Sequence, residues 1–227
     1  ERIKPLFFLL KDRKIYYCYK NEIIVLNALL IKGIISVKGD RGMKICLFGV
    51  SNVGKTTVGK LLAERLDIKF VDLDEEVKNC LKMSLEEFVN TENLRWRDQK
   101  RGSIIKEIIK MEEDVVFAIS PISYIESFKT NIISDDNLLI ELYDTPENIF
   151  SRLIFSDEND DIYTDDNYKN ANKDYYMKEI QEDLDWYGMV NAKIGIHNRV
   201  FVNNKSPEEV VDRIIMEYNL ENDDCGE

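Results

Sequence analysis

The chain has 227 residues, enough for one domain or one domain with an appendage, and its 44% hydrophobic and 33% charged residues are ordinary globular composition. Collagen-like, low-complexity and wholly disordered chains are thereby excluded. With 31 Lys+Arg against 43 Asp+Glu the net charge is −12, the wrong sign for a duplex nucleic-acid binder.

The charge is unevenly spread. Residues 1–42 sum to +5 and residues 43–227 to −17, a shift that points to separate roles or separate origins. Residues 1–42 run as an apolar stretch 6–10, a charged break, a second stretch 15–19, then 23–37. A strand hairpin or helix packed on the main domain, a basic membrane-leaning arm, and a non-native leader all fit this pattern. Lys38-Gly39-Asp40 can be encoded as AAA-GGA-GAT, a purine-rich stretch just ahead of Met43. The expected natural start is therefore Met43, with a domain over 43–220 and an acidic tail over 221–227. The run 23–37 is broken by Asn27, Lys32 and Gly33, too short and interrupted for a membrane span. Cys18, Cys46, Cys80 and Cys225 form no C-x-x-C pair, and His197 is the single histidine. That excludes a structural zinc site and suits a reducing, cytoplasmic setting.

From Lys44 onward, short apolar runs alternate with helical patterns. Strands are predicted at 45–48, 69–72, 115–119, 138–143 and 200–202, nearly continuous in apolar residues as for strands buried on both faces. Helices are predicted at 54–66, 74–80, 84–90, 92–111, 124–130, 146–155, 175–190 and 207–218. Thr145-Pro146 and Ser206-Pro207 each set a capping hydroxyl before a first-turn proline. Strand–helix alternation makes this an α/β chain with a parallel sheet. Residues 156–174 carry almost no aliphatic side chain, so they read as a mobile loop, either plain surface or a lid.

Gly49-Val50-Ser51-Asn52-Val53-Gly54-Lys55-Thr56 fits G-x-x-x-x-G-K-[ST] in full, between a buried strand and an amphipathic helix. Its glycines turn the backbone so that successive N–H groups, through Thr57, face an anion at a helix N-terminus. Lys55 would reach the β- and γ-phosphates, and the Thr56 hydroxyl would hold Mg²⁺. At the end of the next strand Asp72 and Asp74 stand at i and i+2, on one side of an extended chain. One carboxylate would orient Mg²⁺ through water and the other would take a proton from a substrate hydroxyl. Alternatively Asp74 is the N-cap of the helix that follows.

Lys44 to Glu76, KICLFGVSNVGKTTVGKLLAERLDIKFVDLDEE, resembles the start of a shikimate kinase. That family joins the phosphate loop to V-G-x-x-L-A and F-x-D-x-D. Residues 83–87, Trp96-Arg97, 142–152 and 203–211 resemble later family segments, so the likeness covers about 43–218 and is strongest in its first third. It implies a P-loop fold with a five-stranded parallel sheet ordered 2-3-1-4-5, flanked by helices, with ATP and Mg²⁺. It further implies that Asp72 positions the metal and that Asp74 contacts the acceptor hydroxyl as a catalytic residue beside Lys55. By the same likeness Arg97 binds a substrate carboxylate, and Arg152 and Pro207 belong to the adenine site.

Three family features are missing. The third strand runs into Ser120-Pro121-Ile122 instead of a triple glycine, no Arg lies between Phe155 and Tyr176, and Gln181-Glu182-Asp183-Leu184-Asp185 replaces a second carboxylate-binding Arg. An acidic residue there disfavours a carboxylate substrate by like-charge repulsion. Lys169 or Lys173 would have to supply the lid cation. The leading expectation is a monomeric small-molecule kinase with an acceptor other than shikimate, without nucleic-acid or membrane partners. An idle nucleotide binder or slow ATPase, and a shikimate kinase with compensating residues, are the alternatives. Arg95 and Arg101 read as solvated helix charges, Trp186 and Tyr187 as core, and His197 as a loop residue.

Overall fold

The structure is a computed structural model. It describes the backbone of residues 9–11, 14–19 and 22–27, and then residues 42–91, 93–134, 136–155 and 164–220. The remainder of the first 42 residues, the first part of the expected lid (156–163) and the expected tail (221–227) lie outside the described residues. Glu1–Gly39 and Asp40–Glu227 are two separate units. In the first, β1 (Leu9–Lys11), β2 (Lys14–Tyr19) and β3 (Glu22–Asn27) form an antiparallel meander, with Leu9 opposite Tyr16 and Lys14 opposite Asn27.

The second unit is built on a parallel sheet of β4 (Lys44–Phe48), β5 (Lys69–Asp72), β6 (Val115–Ala118), β7 (Asn137–Tyr143) and β8 (Asn198–Phe201). Its spatial order is β5-β6-β4-β7-β8, the expected 2-3-1-4-5. The central strand shows why both faces are covered. Successive side chains of a strand point to opposite faces. Ile45 and Leu47 pack with Val58 and Leu62 of α1 (Lys55–Arg65) and with Val210, Val211 and Ile214 of α9 (Pro207–Tyr218). Cys46 and Phe48 pack on the other side with Ile105, Ile108 and Ile109 of α4 (Leu94–Ile109) and with Val190 and Ile194 of α8 (Lys173–Ile194). Each such side chain taken from water contributes about 1.5–3 kcal/mol. Burial in this layer also pushes the Cys46 thiol up to about 12.

The remaining helices are α2 (Leu73–Leu81), α3 (Leu85–Thr91), α5 (Lys129–Ile132), α6 (Pro146–Ser151) and α7 (Asn167–Ala171). The two predicted proline-led starts hold: Thr145 accepts from the Asn148 N–H, and Ser206 and Glu209 form a reciprocal capping box. Several boundaries differ from the sequence reading. α4 starts at Leu94 because the Asn93 side chain caps it, accepting from the Trp96 N–H. The helix expected over 124–130 is only α5. The N–H groups of Ser123 and Tyr124, in the segment before it, donate to Asp98. α6 ends at Ser151, short of 155. Within the expected loop 156–174, residues 167–171 form α7, which buries no side chain, and α8 begins at Lys173. Among the described residues no helix is long and apolar enough to cross a membrane.

Candidate active site

The phosphate loop leaves β4 and enters α1. Gly49 has φ +140°, and a Cβ there would stand 2.4 Å from the Leu142 carbonyl oxygen, so only glycine fits against β7. Gly54 has φ +111° with nothing within 4 Å of an added Cβ, which leaves the loop open above it. Asn52 takes φ +59°, a conformation asparagine tolerates. Val53 is fully buried, so its contribution to an anion is its backbone N–H alone. The Lys55 ammonium donates to the Gly49 and Val50 carbonyls at 2.9 and 2.8 Å, arching over its own loop. Burial pushes that ammonium down to about 8, against the opposing pull of Asp74 and Asp72.

The Thr56 hydroxyl donates to Asp72 Oδ2 at 2.7 Å, and Asp72 Oδ1 accepts the Asp74 N–H at 3.0 Å. Asp72, not Asp74, is therefore the N-cap of α2. Asp74 stands in the first turn with one carboxylate oxygen, Oδ1, buried and without a hydrogen bond. That oxygen lies 3.8 Å from the Arg101 guanidinium, so it is held by charge and keeps its lone pairs for another donor.

These groups line one cleft of about 460 Å³. Ser51, Asn52, Lys55, Thr56, Asp72 and Asp74 stand on its phosphate-loop side, with Arg97, Arg101, Ser120, Pro121, Asp183 and Tyr187 beyond them. Leu85, Val89 and Leu94 supply apolar wall. Among the expected site residues, Gly49, Val53, Gly54, Thr57, Arg152 and Pro207 do not line this cleft. Arg152 does touch the loop: its Nε donates to the Asn52 carbonyl at 3.3 Å while its Nη2 bonds Asp144 Oδ2 at 2.9 Å. Burial alone would raise the Asp144 carboxyl. Hydrogen bonds from Asn148, Arg152 and the Thr145 N–H, with the Arg152 charge, hold it below the usual range instead. Pro207 is the first residue of α9.

Several sequence readings are corrected here. Arg101 is no solvated charge: its side chain is 11% exposed, lies 3.5 Å from Asp98 and 3.8 Å from Asp74, and sits over the Phe88 ring at 5.1 Å. Its spacing of four from Arg97 places both on one helix face, a signal the sequence did contain. Asp98 is fully buried and was missed. Its partners are N–H groups of residues 123 and 124, which no local pattern announces. Tyr187 packs against the core as expected and also lines the cleft, whereas Trp186 is half exposed with its indole N–H on the Ser123 hydroxyl at 3.1 Å and is not core. Lys169 donates to the Ser151 and Leu153 carbonyls at 2.8 and 3.1 Å, so its ammonium satisfies the end of α6. Arg95 and His197 are exposed, as expected.

The donor set suits Mg²⁺. Thr56 and Asp72 offer hard oxygens beside the loop. Among the described residues no cluster of three or more His, Cys, Asp or Glu could hold a metal alone.

Comparison with known proteins agrees with this geometry. The chain is 30% identical over 109 residues to a shikimate kinase of Caldicellulosiruptor saccharolyticus, covering 48% of this chain and 63% of that one. It is 31% identical over 104 residues to that of Macrococcus caseolyticus, covering 42% and 61%. The matched stretch thus spans less than two thirds of these relatives. In fold it resembles shikimate kinase from Bacteroides thetaiotaomicron, with a TM-score of 0.60 at 17% identity over 78% of this chain and 98% of that one. A gluconokinase from Sinorhizobium meliloti gives a TM-score of 0.51 at 15% identity, over 80% and 94%. The family model described as shikimate kinase matches residues 51–219, well over half of the sequence and including every residue that lines the cleft, from Ser51 to Tyr187. The chain belongs to the shikimate kinase family.

Proposed function

We propose that the protein is an ATP-dependent kinase that transfers the γ-phosphoryl group to a hydroxyl of a small molecule. The observation that carries this reading is the shared cleft: Lys55, Thr56 and Asp72 stand on one side, Asp74 at the junction, and Arg97 with Arg101 beyond. The phosphate loop would bind the nucleotide phosphates through backbone N–H groups and Lys55. Thr56 directly and Asp72 through water would hold Mg²⁺, which would supply positive charge there. Asp74 would accept the proton of the attacking hydroxyl; its unbonded oxygen supports that role. The phosphoryl group ends on the acceptor oxygen, and ADP leaves. Arg152 would flank the nucleotide beside Asn52. The free thiols of Cys46 and Cys80 support a cytoplasmic setting.

The experiment is ADP release in a coupled assay with Mg·ATP over a panel of hydroxylated small molecules. Stimulation above the acceptor-free rate by at least one compound, abolished in Asp74→Asn, is expected. Intact ADP binding with no stimulation by any compound would leave the protein a nucleotide binder and end this reading.

A further inference from the structure

Asp183 is a carboxylate in the acceptor half of the cleft with no cation of its own. It lies on α8 one turn before Tyr187, and both side chains line the cleft. The other carboxylates there are partnered. Asp72 accepts from Thr56 and from the Asp74 N–H, and Asp74 faces Arg101. Among the described residues no Lys, Arg or His nitrogen lies within 4.0 Å of the Asp183 carboxylate. Its helix neighbours add negative charge: Glu179 stands four residues before it, and Glu182, paired at 3.5 Å with Lys178, directly precedes it. Partial burial first, then Glu179 and Glu182, raise the Asp183 pKa. Its surroundings thus favour a positive partner.

A second, independent observation marks the same region as a ligand site. Ser120 lines the cleft, is 9% exposed, and its hydroxyl has no hydrogen-bond partner. A buried polar group left unsatisfied costs stability unless something binds it. Arg97 likewise takes part in no ion pair within 4.0 Å among the described residues. The acceptor half therefore offers one unpaired cation, one unpaired anion and an unsatisfied hydroxyl, over the apolar side chains of Val89 and Leu94.

We propose that Asp183 makes this cleft select acceptors that carry a protonated amine beside the hydroxyl to be phosphorylated, as in amino sugars and amino alcohols. The inference rests on the phosphotransfer reading above and names its substrate class. An ammonium donating to Asp183 forms a charge-assisted hydrogen bond in a partly enclosed cleft, and an acceptor carboxylate in that place meets like charge.

The test uses the full chain loaded with Mg·ADP and matched probe pairs differing in one amine: glucosamine with glucose, ethanolamine with ethylene glycol, and 2-amino-1,3-propanediol with glycerol. Dissociation constants are measured for wild type, Asp183→Asn and Asp183→Arg. Asp183 is exposed on its helix, so the variants fold, which their melting temperatures verify. In wild type at least one amine should bind on the order of tenfold more tightly than its neutral partner, the scale of one charge-assisted contact. That preference should vanish in Asp183→Asn and invert in Asp183→Arg. Equal affinities within every pair, or an amine preference that survives in Asp183→Asn, overturns the proposal. Acceptor-stimulated ADP release by the wild type separates the failures. If no compound stimulates it, the phosphotransfer reading falls and this inference with it; if compounds stimulate it but no amine preference is found, only this inference falls.

Discussion

Asp98 Oδ2 accepts the backbone N–H of Ser123 at 2.9 Å, across 25 positions of sequence, and that of Tyr124 at 3.0 Å. Its other oxygen lies 3.5 Å from Arg101, which in turn faces Asp74. The Ser123 hydroxyl takes the Trp186 indole N–H. Three elements that frame the acceptor half, α4, the segment after β6 and α8, thus meet at one buried carboxylate and one serine. Removing a partner from such a buried network leaves the others unpaired and costs roughly 3–5 kcal/mol. Asp98→Ala should therefore lower the melting temperature by on the order of 10 °C, at about 2–4 °C per kcal/mol for a domain this size. Calorimetry that finds Asp98→Ala within about 2 °C of wild type would show that the clamp holds nothing.

The two loop glycines should fail differently. An alanine Cβ at Gly49 runs into the backbone oxygen of Leu142 at 2.4 Å, which cannot rotate away, whereas at Gly54 it meets nothing within 4 Å. Both carry positive φ, which alone costs a non-glycine residue about 1–2 kcal/mol. Gly49→Ala should lose clearly more stability than Gly54→Ala in urea unfolding. The reverse order would contradict the close approach of the loop to β7.

What was legible in the sequence was local or repeated. The phosphate loop is fixed by glycine spacing and by the helix it opens. The sheet is marked by five apolar runs, and its order follows from the family likeness. The Asp72–Asp74 pair was visible, but which of the two caps α2 was not, because capping depends on φ/ψ at the strand end. The sense of Arg101 was lost because it depends on Asp98, and Asp98 depends on residues 123 and 124. Tyr124–Thr130 read as helix on pattern alone, yet only Lys129–Ile132 is helical, and the N–H groups of Ser123 and Tyr124 hold the segment before it to Asp98.

The unit from Asp40 onward contains the whole parallel sheet, so a chain beginning at Met43 should fold and bind nucleotide. Its new end is provided for. Lys44 is fully buried, with its ammonium on the carbonyls of Gly42, Met111 and Glu113 at 2.6, 2.9 and 2.9 Å. Losing Gly42 removes one of these acceptors. The Met43 nitrogen already donates to Asp114 Oδ1 at 2.7 Å, and as a terminal ammonium it gains charge in that contact. The net change should be small. A melting temperature more than about 5 °C lower, on the order of 1–2 kcal/mol, would make residues 1–42 structural.

Nucleotide binding should carry a proton with it. Folding lowers the Lys55 pKa from 10.5 to about 8, chiefly through burial. Between those values the unfolded chain binds more protons than the folded one, so this lysine makes stability rise with pH across that window. Below about pH 8 the full cost of keeping the ammonium charged is present. Bound phosphates favour the charged form and raise the pKa again. At pH 8 the free protein holds Lys55 about half protonated, so ADP binding should take up about half a proton. Near pH 6.5 the lysine is already charged and this uptake should disappear. Calorimetric binding enthalpies of Mg·ADP in Tris and in HEPES, whose ionisation heats differ, give the proton count directly. Lys55→Met should abolish the uptake at pH 8 and weaken ADP binding by roughly 10- to 150-fold, the scale of a hydrogen bond to a charged group. An enthalpy independent of buffer for the wild type at pH 8 would show that burial does not hold Lys55 near that pKa. Unchanged affinity in Lys55→Met would remove the phosphate-binding role itself.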